Sequence, residues 1–266
     1  MQKKSSKPSD KSNVLVVLAT LGQRTELLRE TLTSIKKQSY KNIDVVLVYP
    51  LKNKETHKLA LEFNAQELDD PGSMSGAVNA GIESAGNNYK YVTWIGDDDL
   101  LTPKSIAASV AALDKNTDAV AAFGYCNYIN SEGRTLFTSR AGRFAPWIMT
   151  WGPNLVPLPG AVFRLSSLKK LDYIFDVELR YSMDLDLFLR LRKIGKLINV
   201  EQPVSCFRWH PDSATVSGRG KSLEEAEMVK RRYLPKSAKL FAPLWEGPIR
   251  FATHVAAKRV NKMAKK

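Results

Sequence analysis

Tyr91-Val92-Thr93-Trp94-Ile95-Gly96-Asp97-Asp98-Asp99 joins five residues suited to the middle of a sheet to three adjacent carboxylates. Like charges packed together at the end of a buried strand repel and resist desolvation, so a chain that keeps them there needs something to offset them. In open α/β sheets ligands bind beyond the carboxyl ends of the strands, and oxygen ligands at that edge suit Mg2+ or Mn2+ holding a nucleoside diphosphate. The plainer alternative is an acidic helix N-terminus, with Asp98 and Asp99 favouring the macrodipole of a helix that Thr102 caps and Pro103 opens, running to about Asp114.

The pattern on both sides of this stretch is that of a parallel sheet with helical crossovers. Val14 to Leu18 and Ile43 to Tyr49 are apolar runs with the character of buried strands, and Leu28, Leu32 and Ile35 between them recur at helical spacing. Met74, Ala77, Val78, Gly81, Ile82 and Ala85 share one helical face ahead of Tyr91. Ala119 to Ile129 and Leu197 to Phe207 read as further strands, with Ser131-Glu132-Gly133 a turn. Trp151 to Gly160 holds three prolines and two glycines and reads as a long functional loop. Ser182 is placed to cap a helix closed by Gly195, and Ser222 with Glu225 has the form of a capping box. A last helix is expected from Pro248, with Ile249, Ala252, Ala256, Val260 and Met263 on a thin apolar face.

With 266 residues and 44% hydrophobic content, the chain is long enough to bury a full α/β core. Its net charge of +13 sits at the ends: residues 1–13 carry four lysines and one aspartate, and residues 219–266 carry 13 basic and four acidic residues, which leaves 14–218 at +1. A balanced centre argues against a nucleic-acid-binding core, whereas basic ends suit an anionic membrane surface or simple solvation. No apolar run reaches the roughly 18 residues of a membrane span, and Met-Gln-Lys-Lys-Ser-Ser lacks the apolar stretch of a signal peptide. The expectation is a cytoplasmic protein, held peripherally at the inner face of the cell membrane. Cys126 and Cys206 show no metal-ligand spacing and read as reduced thiols.

The ordered features resemble the inverting glycosyltransferases of family 2 over about residues 14–216. They are Val14 to Thr20 with Arg24, Leu28, Ser34 and Gln38; Ser75-Gly76-Ala77-Val78-Asn79-Ala80-Gly81-Ile82; the aspartate stretch; Pro159-Gly160-Ala161-Val162-Phe163-Arg164; Phe175-Asp176; Asp184 to Leu191; and Phe207-Arg208-Trp209-His210 with Ser213. The resemblance implies the GT-A fold, a Rossmann-like and mostly parallel central sheet flanked by helices. It implies a single domain at 14–218 between a basic flexible tail (1–13) and a basic helical C-terminal extension (219–266).

It further implies a nucleotide-sugar donor, a divalent metal (Mn2+ or Mg2+), and a glycan or lipid-linked acceptor for cell-surface polysaccharide biosynthesis. The family's Asp-x-Asp-Asp motif falls on Asp97 to Asp99, with Gly96 in the first position. Asp98, Asp99 and His210 become the metal ligands, with Asp97-x-Asp99 as the other registration. Asp184 becomes the catalytic base, with Asp186 its competitor. Thr20, Arg24, Tyr49, Asn79 and Asp97 become donor-binding residues, and Trp151 to Gly160 an acceptor wall. The chain departs from the pattern at Val48-Tyr49-Pro50, where an aspartate pair is usual, and at Val78, where a basic residue often precedes the asparagine. A metal-dependent nucleotidyl- or phosphotransferase would use the same aspartates, although no GxxxxGK[ST] loop is present. A noncatalytic membrane-surface or nucleic-acid-binding protein would need only the basic ends.

Overall fold

β1 (Val14–Ala19) consists of six apolar residues, all buried, because helices cover both faces of the sheet to which it belongs. Val14, Val16 and Leu18 point into one core cluster, and Leu15, Val17 and Ala19 into the other, the alternation a strand dictates. The computed structural model describes residues 13–210 and 218–264. After β1 come α1 (Thr25–Lys36), β2 (Ile43–Tyr49), α2 (Lys54–Phe63), β3 (Gln66–Asp69), α3 (Met74–Glu83), β4 (Tyr91–Ile95), β5 (Leu100–Leu101), α4 (Ser105–Lys115), β6 (Ala119–Ile129) and β7 (Thr135–Ser139). The second half holds α5 (Ala145–Trp151), β8 (Val162–Arg164), α6 (Leu165–Leu168), α7 (Met183–Leu191), β9 (Lys196–Arg208), α8 (Arg219–Tyr233) and α9 (Lys236–Ala264).

The nine strands form one sheet in the order β3-β2-β1-β4-β8-β6-β9-β5, with β7 on β6. β3, β2, β1 and β4 are parallel, β8 is antiparallel to both its neighbours, and β9 runs parallel to β6. The expected α/β architecture is therefore present, with the parallel pairing concentrated in β3-β2-β1-β4 and, β6 with β9 apart, antiparallel pairing in the other half. Helices α1, α2 and α4 bury Leu28, Leu32, Ile35, Leu59, Ile106 and Val110 on one face, while α3 and α7 cover the other. At Gly81 helix α3 lies so close to β1 that a Cβ would stand 2.4 Å from Val17 Cγ1.

Several local expectations are corrected. Helix α4 starts at Ser105, because Thr102 turns its hydroxyl to the Pro203 carbonyl, 2.7 Å away, instead of capping. Ser182 precedes α7 but makes no side-chain cap, and its hydroxyl donates to the Ser222 carbonyl. Ser222 and Glu225 lie inside α8, so they form no box of their own. Trp151 ends a short helix. The final helix begins at Lys236 rather than Pro248 and contains both Pro243 and Pro248. Each proline removes one backbone donor, which is why the pattern suggests a later start. The segment from 219 is helical as expected, yet Val229 of α8 is fully buried in the core, so residue 219 marks a change of composition and not of packing. Cys126 and Cys206 are free thiols.

Candidate active site

Parallel pairing in register sets Leu18 opposite Ile95, and two residues further along each strand come Thr20 and Asp97. The Thr20 hydroxyl donates to Asp97 Oδ2 at 2.5 Å. Arg24, at the start of α1, turns its guanidinium between two carboxylates, pairing with Asp97 through Nη2 and with Asp98 through Nη1. The same Nη1 lies 3.2 Å from His210 Nε2, which is 2.8 Å from Asp98 Oδ2. Burial raises the Asp97 carboxyl above its ordinary range, against the pull of Thr20 and Arg24. At Gly96 a Cβ would stand 3.1 Å from Asp98 Oδ1 and 3.4 Å from Asp99 Oδ2, so the missing side chain makes room for the carboxylates that fold back over it.

His210 reaches this turn because β5 and β9 pair antiparallel, Leu100 opposite Cys206. Their continuation brings Arg208 to the aspartates: its backbone N–H donates to Asp99 Oδ1 (2.9 Å) and its Nε to the Asp98 carbonyl (2.9 Å). The rest of the buried guanidinium donates to the Ser131 carbonyl (2.8 Å) and Glu30 (2.6 Å). Arg208, which the sequence offers only as the context of His210, is thus the brace of the aspartate turn. Asp99 is held inward by this brace, and burial, with the charges of Asp98 and Asp97, raises its carboxyl well above the usual range.

The donor set suits a divalent ion in part. Carboxylate oxygen and imidazole nitrogen are ligands that Mn2+ accepts, and Asp98 and His210 meet at one point. Among the described residues no three such side chains converge in ligand geometry. An ion held by Asp98 and His210 therefore needs further oxygen ligands from a bound diphosphate or water, and Arg24 now supplies the positive charge there. Ser213 lies outside the described residues.

A cavity of about 900 Å3 runs from Gly96 and Asp99 past Asp184 to α8 and α9. Asp184, in the first turn of α7, opens onto it and accepts a hydrogen bond from Asn154 Nδ2 at 3.0 Å. Although part of its surface faces the cavity, protein surrounds the carboxyl, and this desolvation raises its pKa to about 6 against the bonds from Leu185 and Asn154. The backbone entering α7 is fixed from outside: Glu225 of α8 accepts the N–H groups of Arg180 (3.1 Å), Tyr181 (2.7 Å) and Ser182 (2.6 Å). Asp186, one turn-half round, is fully buried and bound by Arg190 Nε (2.8 Å) and the Tyr233 hydroxyl (2.5 Å).

The 151–160 segment does line the cavity, but Trp151 packs edge-on against Trp245 with ring centroids 5.8 Å apart. Two expected donor contacts lie elsewhere. The Tyr49 ring is wholly buried, so it offers no face for a base, and its hydroxyl donates to Glu67; burial and that carboxylate raise its pKa. Asn79 brackets the backbone of Phe175, donating to its carbonyl and accepting from its N–H, both at 2.9 Å, which seats the Phe175 ring 4.8 Å from Trp94. Asn154 and Glu225 carry almost no local signal. Asn154 is marked only by the unusual loop around it, and Glu225 imitates a cap for its own helix.

The mixed sheet with helices on both faces has the GT-A fold of its structural neighbours. Residues 16–169 match the profile of Glycosyl transferase family 2, and the chain belongs to that family. An uncharacterized glycosyltransferase of Rickettsia typhi is 26% identical over 227 residues, covering 80% of this chain and 69% of its own. One from Methanocaldococcus jannaschii is 24% identical over 196 residues, 68% of this chain and 65% of its own. Among solved structures, the mannosyltransferase PcManGT of Pyrobaculum calidifontis, in complex with GDP-Man and Mn2+, aligns with a TM-score of 0.66 at 16% identity, over 95% of this chain and 76% of that one. S. aureus TarS 1-349 in complex with UDP-GlcNAc aligns at 0.63 and 15% identity, over 85% and 69%. A longer TarS chain is spanned to 41%. Likeness at such identities speaks for the fold alone.

Proposed function

We propose that this glycosyltransferase works with inversion, moving a sugar from a nucleoside-diphosphate donor to an acceptor hydroxyl in the making of a cell-surface glycan or polysaccharide. The observation that carries the reading is the carboxyl of Asp184, facing the cavity with its pKa near 6, where a general base can be ionised and still hold a proton in transit. Asp184 takes the acceptor proton as the hydroxyl oxygen attacks the anomeric carbon, and the bond to the diphosphate breaks with its electron pair on the leaving group. Thr20, Arg24 and Asp97, joined by their mutual bonds, are assigned to the diphosphate end. Asp98 and His210 would hold the divalent ion, with Asp99 supporting the turn; such an ion supplies positive charge against the departing diphosphate.

Incubation with nucleotide sugars such as UDP-GlcNAc and GDP-Man, followed by proton NMR of the anomeric centre, tests the reading. Inversion is expected, and a product of retained configuration overturns it. Calorimetry of UDP or GDP with Mn2+ tests the ligand assignment: Asp98→Asn and His210→Ala are each expected to weaken binding at least roughly tenfold, about 1.4 kcal/mol. Unchanged affinity in both removes the assignment.

The same reading includes a peripheral place on an anionic membrane. Helix α9 presents Leu240, Leu244 and Phe251 on one face, 77%, 73% and 72% exposed, among Lys236, Lys239, Lys258, Arg259 and Lys262. No helix among the described residues is long and apolar enough to cross a bilayer. An exposed apolar stripe bordered by cations fits the headgroup boundary of an anionic leaflet.

A further inference from the structure

From Gly133 to Leu171 the chain contains no acidic residue, and the same holds from Met228 to Trp245. The near-neutral balance of residues 14–218 hides the first of these basic stretches, and the two meet in space. Trp151, the last residue of α5, packs on Trp245 of α9 with ring centroids 5.8 Å apart. One helical turn before each of these tryptophans, on the same face of its helix, stands an exposed aromatic residue: Trp147 on α5 and Phe241 on α9. Phe144, at the start of α5, is as exposed as Trp147, each at 62%, while Ala145, Pro146 and Met149 turn inward. The Arg143 guanidinium lies 4.9 Å from the centroid of the Phe144 ring, and Arg140 and Arg143 are exposed and form no ion pair among the described residues. Lys236 and Lys239 are placed in the same way beside Leu240 and Phe241.

Large aromatic side chains left in water where two acid-free stretches join call for a partner that is both anionic and apolar. An anionic leaflet is both: indole and phenyl rings settle at the headgroup boundary, and arginines beside them reach the phosphates. The outer face of α5, less than two turns long, is too small by itself for a protein interface of about 1,000 Å2. We propose that Phe144 and Trp147, with Arg140 and Arg143, are a second foot on an anionic leaflet beside the stripe of α9, and that the two feet fix how the molecule lies on it. The inference rests on the membrane reading of α9 for the other point of attachment, but not for binding through α5. The wall of the Asp184 cavity begins just inside the seam between the two helices, with Trp151 and Leu155 on one side and Ile249 and Thr253 on the other. A chain standing on both feet therefore holds that cavity towards the leaflet and not away from it.

The test is flotation of the full chain with phosphatidylcholine vesicles, and with vesicles in which half of that lipid is replaced by phosphatidylglycerol. Phe144→Ser combined with Trp147→Ser is expected to lower partition onto the anionic vesicles at least roughly tenfold. Arg140→Gln combined with Arg143→Gln should lower it by a similar factor at low salt and much less at high salt. Depth is read from tryptophan fluorescence: lipid brominated at the headgroup end of its chains should quench the parent more than Trp147→Phe, which keeps an aromatic ring and the binding. Because Phe144 and Trp147 project into solvent, the double variant should melt like the parent; if it fails to fold, Trp147→Gln alone takes its place. Undiminished partition of the α5 aromatic variant, or equal quenching of the parent and Trp147→Phe, overturns the proposal. Light scattering that shows a dimer dissociated by the same substitutions, with vesicle binding unchanged, overturns it in favour of a second copy of the chain. Binding lost with Phe144→Ser and Trp147→Ser but kept with Leu244→Ser and Phe251→Ser removes only the α9 reading, and the converse removes only this inference.

Discussion

Asp184 and Asp186 are separated by one leucine and by about 200° around the axis of α7. The first faces a cavity with one amide for company, and the second is sealed between Arg190 and Tyr233. Their substitutions should therefore move stability in opposite directions. Asp184 has a folded-state pKa of about 6 against an ordinary 3.8, so the folded chain holds that proton more tightly than the unfolded one. The stabilisation is complete below about pH 4 and lost as pH rises through about 6, leaving the ionised carboxylate a burden of roughly 1–3 kcal/mol at neutrality. Asp184→Asn should melt higher than the parent at pH 7, with the gap closing towards pH 4, while turnover falls at least roughly 100-fold. Asp186→Asn should melt lower, by about 3 kcal/mol, because it strips one partner from a buried pair. Thermal melts at the two pH values decide both. In the parent, kcat/KM should climb as pH rises through about 6, and a profile flat from pH 5 to 7 would deny Asp184 the role of base.

At the scale of elements, strands β1, β2, β4 and β6 could be read from the chain because a strand buried on both faces is simply an apolar run. The pairing of β1 with β4 then brings Thr20 to Asp97, so the aspartate end of the candidate site was largely written in local patterns. The other end was not. Thr102, Ser182 and Glu225 look like caps for the helices that follow or contain them, yet each bonds to a different element, across 101, 40 and up to 45 positions of chain. A polar side chain announces that it needs a partner but not which one; Tyr49 and Asn79, spent on Glu67 and Phe175, are illegible for the same reason. The grip of Glu225 on three successive N–H groups is the most consequential of these bonds, since it sets the entry of α7. Glu225→Gln should lower kcat roughly tenfold, leave the donor KM near that of the parent, and cost about 1–3 kcal/mol in a denaturant melt. A variant that changes neither kcat nor stability would show that the entry of α7 is held by packing alone.

For the molecule as a whole, α9 carries a more apolar outer face than the helix expected from Pro248. Ala242 and Ala257 are buried against the body and Ile249 lines the cavity, whereas the bulkier Leu240, Leu244 and Phe251 look outward. Lys265 and Lys266, two of the 13 basic residues counted from 219, lie outside the described residues. Membrane contact through this surface should combine apolar insertion with charge, so that salt weakens it without abolishing it. The chain is expected to cosediment much more strongly with anionic than with neutral vesicles. The double substitution Leu244→Ser and Phe251→Ser should cut that binding at least roughly tenfold, since each side chain contributes about 1.5–3 kcal/mol when fully buried. Equal sedimentation with both vesicle types, or none with either at low salt, would leave the stripe without a lipid partner.

The clasp between α7 and α8 also limits how this enzyme can be recombined. Asp186 with Tyr233, Asp176 with Arg232, and Glu225 with the 180–182 backbone stitch the segment after residue 218 to the one that carries Asp184. A chimera with a relative that crosses over between β5 and α4 keeps all of these pairs within one parent. A crossover at 218 breaks every one of them, so the segment that carries Asp184 is best inherited together with α8 and α9 as one block.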